Sequence, residues 1–280
     1  MKSRLFLNLA LAALVAALAL FVYLRPGPQG AAELKLSAIA PAQAARIVIQ
    51  RTGQPPIVLQ RSGAQWLVSA PFNARADSAR VERVLKILGA TSSQSFAATD
   101  LGRFGLERPP LRLTINDQEF AFGTQHPLSA ETYVATQGRV YLVPPGHLAS
   151  IAANAADFAS KELFAPDENP VGFTFPGVTL QQQQGKWSRL PAGPELSQDS
   201  LNAWADEWRH AIAFIAQPYA QGKATAQLSV RLANGKTVPF HILQREPDLV
   251  LLRGDENMQY HFPGGVGKRL LEPLTQAEAR

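Results

Sequence analysis

Cysteine is absent from this chain of 280 residues. Its absence excludes disulfide bonds, thiolate metal sites, thiol nucleophiles and a membrane anchor attached to a lipidated cysteine. The sequence also lacks a dinucleotide fingerprint and a serine-nucleophile elbow. Residues 264–268 (Gly-Gly-Val-Gly-Lys) lack the spacing and the following Ser or Thr of a phosphate-binding loop, so we interpret them as a turn before a helix.

Neither sign of charge dominates the sequence. The formal net charge of +5 includes three basic residues that flank an apolar run near the amino terminus. No basic stripe with interleaved aromatic residues is present, so we expect no nucleic-acid partner despite the basic pI.

The five histidines show no metal-binding pattern. His241 and His261 fall on predicted strands and could face each other across a sheet. A metal would still need a third ligand, and no spacing argument supports Asp255 or Glu256 in that role. We therefore predict no metal site and no cofactor. No catalytic constellation is present either, so we expect a protein that is not an enzyme.

The most informative feature that is present is an apolar run at residues 5–24, which begins at Leu5, ends at Leu24 and contains no charged residue. At roughly 1.5 Å per residue, a helix of this length spans about 30 Å, the thickness of the hydrocarbon core of a bilayer. The run therefore predicts a transmembrane helix. Cleavage as a secretory signal near residues 30–32 is one alternative, although the apolar core of a signal usually has about 7 to 15 residues. A core helix is the other, and it would need packing partners on every face.

Basic residues determine the predicted orientation of this helix. Lys2 and Arg4 precede the run, so the positive-inside rule keeps residues 1–4 in the cytoplasm and places the bulk of the chain across the membrane. Residues 25–44 begin with Arg-Pro-Gly-Pro, and we interpret them as a linker to the first folded element.

The rest of the chain contains an internal repeat with an offset of about 120 residues. In each half, a strand pattern carries a tryptophan, Trp66 or Trp187, and an amphipathic helical pattern follows an N-cap residue, Asp77 or Ser197. Two hairpin patterns complete each half. The apolar face of the second helical pattern contains Leu201, Trp204, Trp208, Ala211, Ile212 and Ile215.

These patterns predict an α+β fold. It would consist of an amino-terminal transmembrane helix and two tandem, duplicated modules, each with an antiparallel sheet and a helix on one face. The modules would occupy residues 45–165 and 170–280. Chance similarity between two antiparallel α+β domains is the alternative to a duplication.

The first half resembles DUF4340, a bacterial family defined by a domain of unknown function. The resemblance covers about residues 45–165, and residues 219–224 of the second half depart from the segment at residues 104–109. It implies a membrane-tethered envelope protein, and some members are associated with ABC-type transport or gliding machinery. It implies no catalytic residue. The features that carry it are Trp66, Pro71, the helix after Asp77, residues 104–109 (Phe-Gly-Leu-Glu-Arg-Pro), Phe122, Gly123, Tyr133, Val134 and residues 140–144.

With this resemblance, we expect a single-pass protein of the bacterial inner membrane whose bulk is periplasmic. It would act by binding, as an accessory component of an envelope or transport complex, and its partners would be other proteins of that complex. The loop that carries Phe104, Gly105, Leu106 and Pro109 is the predicted partner surface, because glycine and proline there specify a backbone shape that packing alone does not require.

Two alternatives stay open at this point. An envelope hydrolase would use loop carboxylates such as Glu107 or Glu131, and it would need a deep pocket with two carboxylates roughly 5 to 9 Å apart. A structural spacer would show a rigid contact between the modules around residues 164–170 and no recessed pocket.

Overall fold

Antiparallel sheets and a few helices make up this α+β chain. The computed structural model describes residues 2–24, 33–151, 154–191 and 197–278, without side chains for residues 2–9, 22–24 and 272–278. The helices are α1 (Lys2–Leu24), α2 (Ser78–Leu85), α3 (Gly146–Ala149), α4 (Gln198–Arg209) and α5 (Gly264–Glu278). Short 3-10 turns occur at Pro41–Gln43, Lys86–Gly89, Gly102–Phe104 and Ala155–Phe158.

Among the described residues, eleven strands precede residue 158 and eight follow it. The earlier strands are β1 (Leu34–Lys35), β2 (Arg46–Arg51), β3 (Ile57–Ser62), β4 (Gln65–Ala70), β5 (Ala74–Arg75), β6 (Thr91–Ser92), β7 (Ser95–Ala97), β8 (Leu111–Ile115), β9 (Gln118–Gln125), β10 (Thr132–Thr136) and β11 (Arg139–Val143). The later strands are β12 (Pro170–Phe175), β13 (Val178–Gln183), β14 (Lys186–Leu190), β15 (Ile215–Pro218), β16 (Ala226–Leu232), β17 (Thr237–Gln244), β18 (Leu249–Arg253) and β19 (Met258–Phe262).

The two large sheets share one strand order. The first sheet runs β5-β4-β3-β2-β8-β9-β10-β11-β7, and the second runs β14-β13-β12-β16-β17-β18-β19-β15. Apart from the additional edge strand β5, each sheet begins with three strands that are consecutive in the chain. Four further consecutive strands follow in space, and the last position is an edge strand that comes before those four in the chain. The short strands β1 and β6 pair separately.

Both predicted amphipathic helices are present and begin at the predicted caps. The Asp77 side chain accepts a hydrogen bond from the amide of Arg80 (3.1 Å), and the Ser197 hydroxyl accepts one from the amide of Ser200 (3.1 Å). These bonds satisfy backbone donors that have no partner within the helix.

The predicted carboxyl end of the second helix is wrong. Helix α4 ends at Arg209, and the chain continues in an extended conformation in which Ile212 and Ile215 are exposed. Helical periodicity placed both residues on the apolar face, but the core is already filled by Trp204 and Trp208. The indole N–H groups of these two residues donate to the carbonyl of Leu270 in α5 (3.1 and 2.9 Å).

One continuous cluster of buried apolar side chains extends through both sheets. Trp66 and Trp187, which the sequence placed at equivalent strand positions, are each 5% exposed and belong to it. The division into modules at residues 45–165 and 170–280 therefore stays a prediction, since the two sheets share packing.

Residues 10–21 are the part of α1 with described side chains, and no helix of the described residues is long and apolar enough to cross a membrane. The side chains of Leu5 and Leu24, the predicted ends of the anchor, lie outside the described residues. So do residues 25–32 of the predicted linker.

Candidate functional site

A connector, residues 159–169, joins the two sheets and hydrogen-bonds to both. The amide of Ser160 donates to the carbonyl of Arg75 at the edge of the first sheet (2.8 Å). Three residues further on, the connector pairs with the segment that leads into β15: the amide of Leu163 donates to the carbonyl of Ala211 (2.9 Å). Backbone bonds on both sides hold the connector between the two sheets.

Arg253, at the end of β18, is the most deeply buried charged residue of this junction, with a side chain that is 1% exposed. Its guanidinium forms a bidentate pair with Glu168 of the connector (2.6 and 2.8 Å) and donates from Nε to Asp255 (2.9 Å). It also donates to the carbonyl of Leu163 (2.7 Å). Every direction of this planar donor set is therefore occupied by an acceptor.

Arg75, in β5, links the first sheet to the second. Its Nε donates to Glu256 (2.6 Å), and its Nη2 donates to the carbonyl of Glu162 (2.7 Å) and to the hydroxyl of Tyr260 (3.2 Å). The Tyr260 hydroxyl in turn donates to Glu256 (2.8 Å). Side chains from both sheets thus converge on the connector.

Ionisation of this cluster is maintained against the cost of burial. Burial by itself lowers the pKa of Arg253, but the carboxylates of Glu168 and Asp255 outweigh it and raise the pKa. Burial likewise opposes the charge of Glu168, and hydrogen bonds from Arg253 and the Ala165 amide bring its pKa below the usual value. Burial and the nearby Glu256 raise the pKa of Tyr260, so this phenol stays a donor at neutral pH. Such fully paired charges stabilise one geometry of the junction.

A cleft of about 820 Å³ opens at the same junction. Its walls include Trp66 and Arg75 from the first sheet, Glu162 and Asp167 from the connector, and Ile212 before β15. Two smaller concavities of about 340 and 520 Å³ continue it along α4 and α5, and Ile212 lines all three. We call these three concavities the junction groove.

Exposed apolar side chains mark the middle of the junction groove and its continuation into β15. Ile212 is 63% exposed, Phe214 is 43% exposed and Ile215 is 39% exposed, whereas the intervening Ala213 is buried. In an extended segment, Ile212 and Phe214 project to the same side. Single exposed apolar residues are ordinary, but three within four positions beside a concavity indicate a contact surface.

The predicted partner surface lies elsewhere and is largely buried. Phe104 is 6% exposed and Leu106 is 4% exposed, and they pack with Ala121 and Val140 in a second, smaller apolar cluster. Pro109 is buried as well. None of these side chains lines the junction groove. Their use by a partner stays a prediction, but their side chains already have a packing role.

Gly105 explains the backbone shape of that loop. Its φ of 68° lies in the left-handed region, and a Cβ there would stand 2.6 Å from Cγ2 of Thr124. Glycine is therefore required both by the dihedral angle and by close contact with β9.

The carboxylates suggested for hydrolysis lie outside the junction groove. Glu107 is exposed, Glu131 accepts a hydrogen bond from the Ser129 hydroxyl (2.8 Å), and neither lines the junction groove. Among the described residues, no group of three or more His, Cys, Asp and Glu side chains could hold a metal ion.

Sequence reasoning missed both Arg253 and Ile212. An arginine that closes the apolar run Leu249–Arg253 was the available signal for a buried cation, since all five residues of this strand are buried. No comparable signal marked Ile212, because its spacing suited a helix.

The sequence profile of DUF4340, described as a domain of unknown function, matches residues 66–209. The chain belongs to the DUF4340 family. This confirms the resemblance found in the sequence and extends it past the first half, from Trp66 in β4 to the last residue of α4. The connector therefore lies within the matched DUF4340 region. No curated protein and no solved structure matches the chain.

Proposed function

We propose that this DUF4340 protein is a single-pass, membrane-anchored periplasmic protein that acts as a non-catalytic binding component of an envelope or ABC-type transport-associated complex. The junction groove is the observation that supports binding. It is concave, its walls come from the first sheet, the connector and helices α4 and α5, and Ile212 gives it an exposed apolar centre. Concave surfaces with apolar anchor positions are the usual setting of protein recognition sites.

The location in the cell follows from the amino-terminal sequence. Residues 5–24 contain no charged residue and match the length of a bilayer span, and Lys2 and Arg4 favour a cytoplasmic amino terminus. In this arrangement the groove faces the periplasm, where other envelope proteins are available as partners.

We also propose that the two sheets descend from one duplicated module. Their strand orders agree, a capped helix follows the third strand of each, and Trp66 and Trp187 occupy equivalent core positions. Two unrelated sheets rarely share an order of seven strands and one returning edge strand, so duplication explains the agreement better than chance.

The spacer alternative accounts for only part of the junction. A spacer requires the rigid contact that Arg75, Glu256 and the connector supply. It does not require a cleft of about 820 Å³ with an exposed Ile212 inside it. Binding accounts for both features.

Photo-cross-linking in cells tests the proposed function. A photo-reactive benzoylphenylalanine in place of Ile212 should give a discrete adduct with another envelope protein, identified by mass spectrometry. The matched control carries the same group in place of Leu190, which is 53% exposed on the edge strand β14. Equal adduct patterns from both positions, or none from position 212, would overturn binding through the groove.

A fusion tests the location independently. Alkaline phosphatase attached after Arg280 should be active, because it folds only in the periplasm. An inactive fusion made in normal amounts would contradict a periplasmic groove.

A further inference from the structure

We infer that the junction groove binds a cationic amphipathic segment of a protein partner, in which aliphatic residues stand next to lysine or arginine. The inference rests on the proposed function and deepens it by naming the chemistry of the partner. It depends on the charges that line the groove and on their position relative to Ile212.

Negative charge predominates along the groove, although the whole chain is positive. Six carboxylates and four Lys or Arg side chains line the three concavities, whereas the formal net charge of the chain is +5. A local excess of one sign against the sign of the whole chain favours a partner of the opposite charge, since complementary potentials steer association and exclude wrong partners.

Most of these charges are already paired within the protein. Glu168 pairs with Arg253, Arg75 pairs with Glu256, and the helix residues Asp206 and Glu207 pair with Arg209 and Arg269. These pairs leave little net charge for a ligand.

Two exposed carboxylates are available instead. Glu162 and Asp167 form no ion pair among the described residues. Of the cations that line the groove, Lys161 likewise forms none. The carboxylates that remain available on the connector therefore outnumber the available cation.

Apolar and acidic groups lie side by side at the centre of the groove. Glu162 and Ile212 form an antiparallel bridge, so their side chains are cross-strand neighbours on one face. A ligand that covers the exposed surface of Ile212 places its next group beside the Glu162 carboxylate. An aliphatic side chain followed by a Lys or Arg satisfies both positions.

The same arrangement disfavours an anionic surface. A membrane rich in acidic lipids would be repelled by Glu162 and Asp167, and a nucleic acid would be repelled in the same way. The acidic rim thus distinguishes a basic protein segment from these two classes of partner.

The test uses the purified full-length chain in detergent with the photo-reactive group in place of Ile212. The probes are a short peptide of alternating leucine and lysine and its counterpart with glutamate in place of lysine. We expect about fivefold more adduct with the lysine peptide, and less of it as salt is raised. The Leu190 position serves as control, because any partition of a peptide into the micelle affects both positions equally.

Charge-neutral variants separate the partner chemistry from the groove itself. The double variant Glu162→Gln, Asp167→Asn should reduce the adduct of the lysine peptide about fivefold, since two exposed ionic contacts are lost. The control variant Asp100→Asn, Glu246→Gln removes two exposed carboxylates outside the groove and should leave the adduct unchanged.

The outcomes distinguish the two levels of the proposal. Equal labelling by both peptides at position 212, or no loss in the double variant, would overturn the cationic partner and leave the groove as a binding site. Lack of any preference for position 212 over 190 would also overturn the inference, and the adducts formed in cells would then decide the proposed function by themselves.

Discussion

The outer faces of the two sheets, which point away from the shared core, differ although the strand order is the same. In the first sheet, one cross-strand row on this face consists of Phe96, Val140, Ala135 and Ala121. The corresponding row of the second sheet consists of Gln217, Gln259, Leu252 and His241. One row is apolar and the other is mostly polar.

The segment after the edge strand accounts for this difference. After β7, Phe104 and Leu106 fold over the apolar row, and the ring of Phe104 lies 4.9 Å from that of Tyr133. After β15, the shorter segment 219–225 contributes no such pair and is mostly exposed. A sheet face becomes a second core when a loop supplies apolar side chains to cover it, and otherwise its residues remain polar enough to face water.

The largest expected effect is the loss of stability when the polar network at the end of β18 is disrupted, compared with the network at the end of β10. In the first sheet, Thr136 accepts a hydrogen bond from Gln118 (2.9 Å), and the network is neutral. In the second sheet, Arg253 occupies the strand end, and its network is ionic. Arg253→Met should destabilise the protein by about 3–5 kcal/mol, because Glu168 loses its bidentate partner and only the half-exposed Lys236 remains beside Glu168 and Asp255. Urea denaturation of the full chain measures this.

Thr136→Val is the matched control, with an expected cost of about 1–2 kcal/mol for an amide left unsatisfied. If Arg253→Met costs no more than this control, the ionic network adds nothing beyond an ordinary hydrogen bond.

A substitution of Gly123 in β9 tests the difference between the two outer faces directly. A Cβ at this position would clash with the carbonyl oxygen of Phe104, which is backbone and cannot move aside. Gly123 follows Ala121 by two positions. In the second sheet, the residue two positions after the corresponding His241 is Leu243. Gly123→Leu should therefore expel the loop and cost about 3 kcal/mol. Denaturant midpoints and accessibility of the loop to protease measure the effect.

The reciprocal change, Leu243→Gly, only removes a side chain that lies beside Gly222, and it should cost about 1–2 kcal/mol through lost packing and backbone entropy. Equal costs for the two changes would show that the loop at Phe104 is not held by the sheet.

Acid should weaken the junction before it weakens the cover of the first sheet. The folded-state pKa values of Glu168 and Asp255 lie below their ordinary values of 4.5 and 3.8. Burial opposes both charges, but Arg253 and the Ala165 amide outweigh it for Glu168, and Arg253 and Lys236 outweigh it for Asp255. Carboxylates with lowered pKa contribute stability above the unfolded value and lose it as pH falls through the folded value. Stability should therefore decline from about pH 4.5 downward.

Urea midpoints between pH 7 and pH 3 provide the measurement, and Glu168→Gln is the comparison variant. The slope with pH should be shallower in the variant, since one titrating carboxyl is gone. An unchanged slope would remove Glu168 from the explanation.

The smallest expected effect concerns one exposed apolar residue from each half. Leu128 is 92% exposed in the loop between β9 and β10, and Ile212 is 63% exposed in the junction groove. Leu128→Ser and Ile212→Ser should each change stability by less than about 0.5 kcal/mol, because little apolar surface is buried at either position. Binding assays should then separate them, with loss in the Ile212 variant alone. A stability change above about 1 kcal/mol for Ile212→Ser would show that this residue packs in the fold.

Local patterns predicted most of the architecture. The caps Asp77 and Ser197, the hairpin turns and the alternating strands were readable because capping, turn geometry and alternation are determined by residues close in the chain. The DUF4340 resemblance was readable for the same reason, since it rests on short segments. The end of α4 was not, because Ile212 and Ile215 continue a helical spacing that the core no longer needs.

The candidate site was not readable in the same way. Arg75, Glu168 and Arg253 meet across 178 residues of chain, and no spacing rule relates them. The packing role of the loop at Phe104 was not readable for a related reason. Conformational demands at Gly105 indicated a special backbone, and only the position of β9 shows that the demand comes from packing.

The sequence by itself determined which segments become strands and helices, and it determined membership of DUF4340, because both depend on neighbouring residues. The tertiary structure decided which face of each sheet is covered, where the buried arginines find their carboxylates and where an exposed isoleucine lies beside a cleft. These features depend on contacts between distant segments, and their free energies exist only when the two sheets and the connector are assembled.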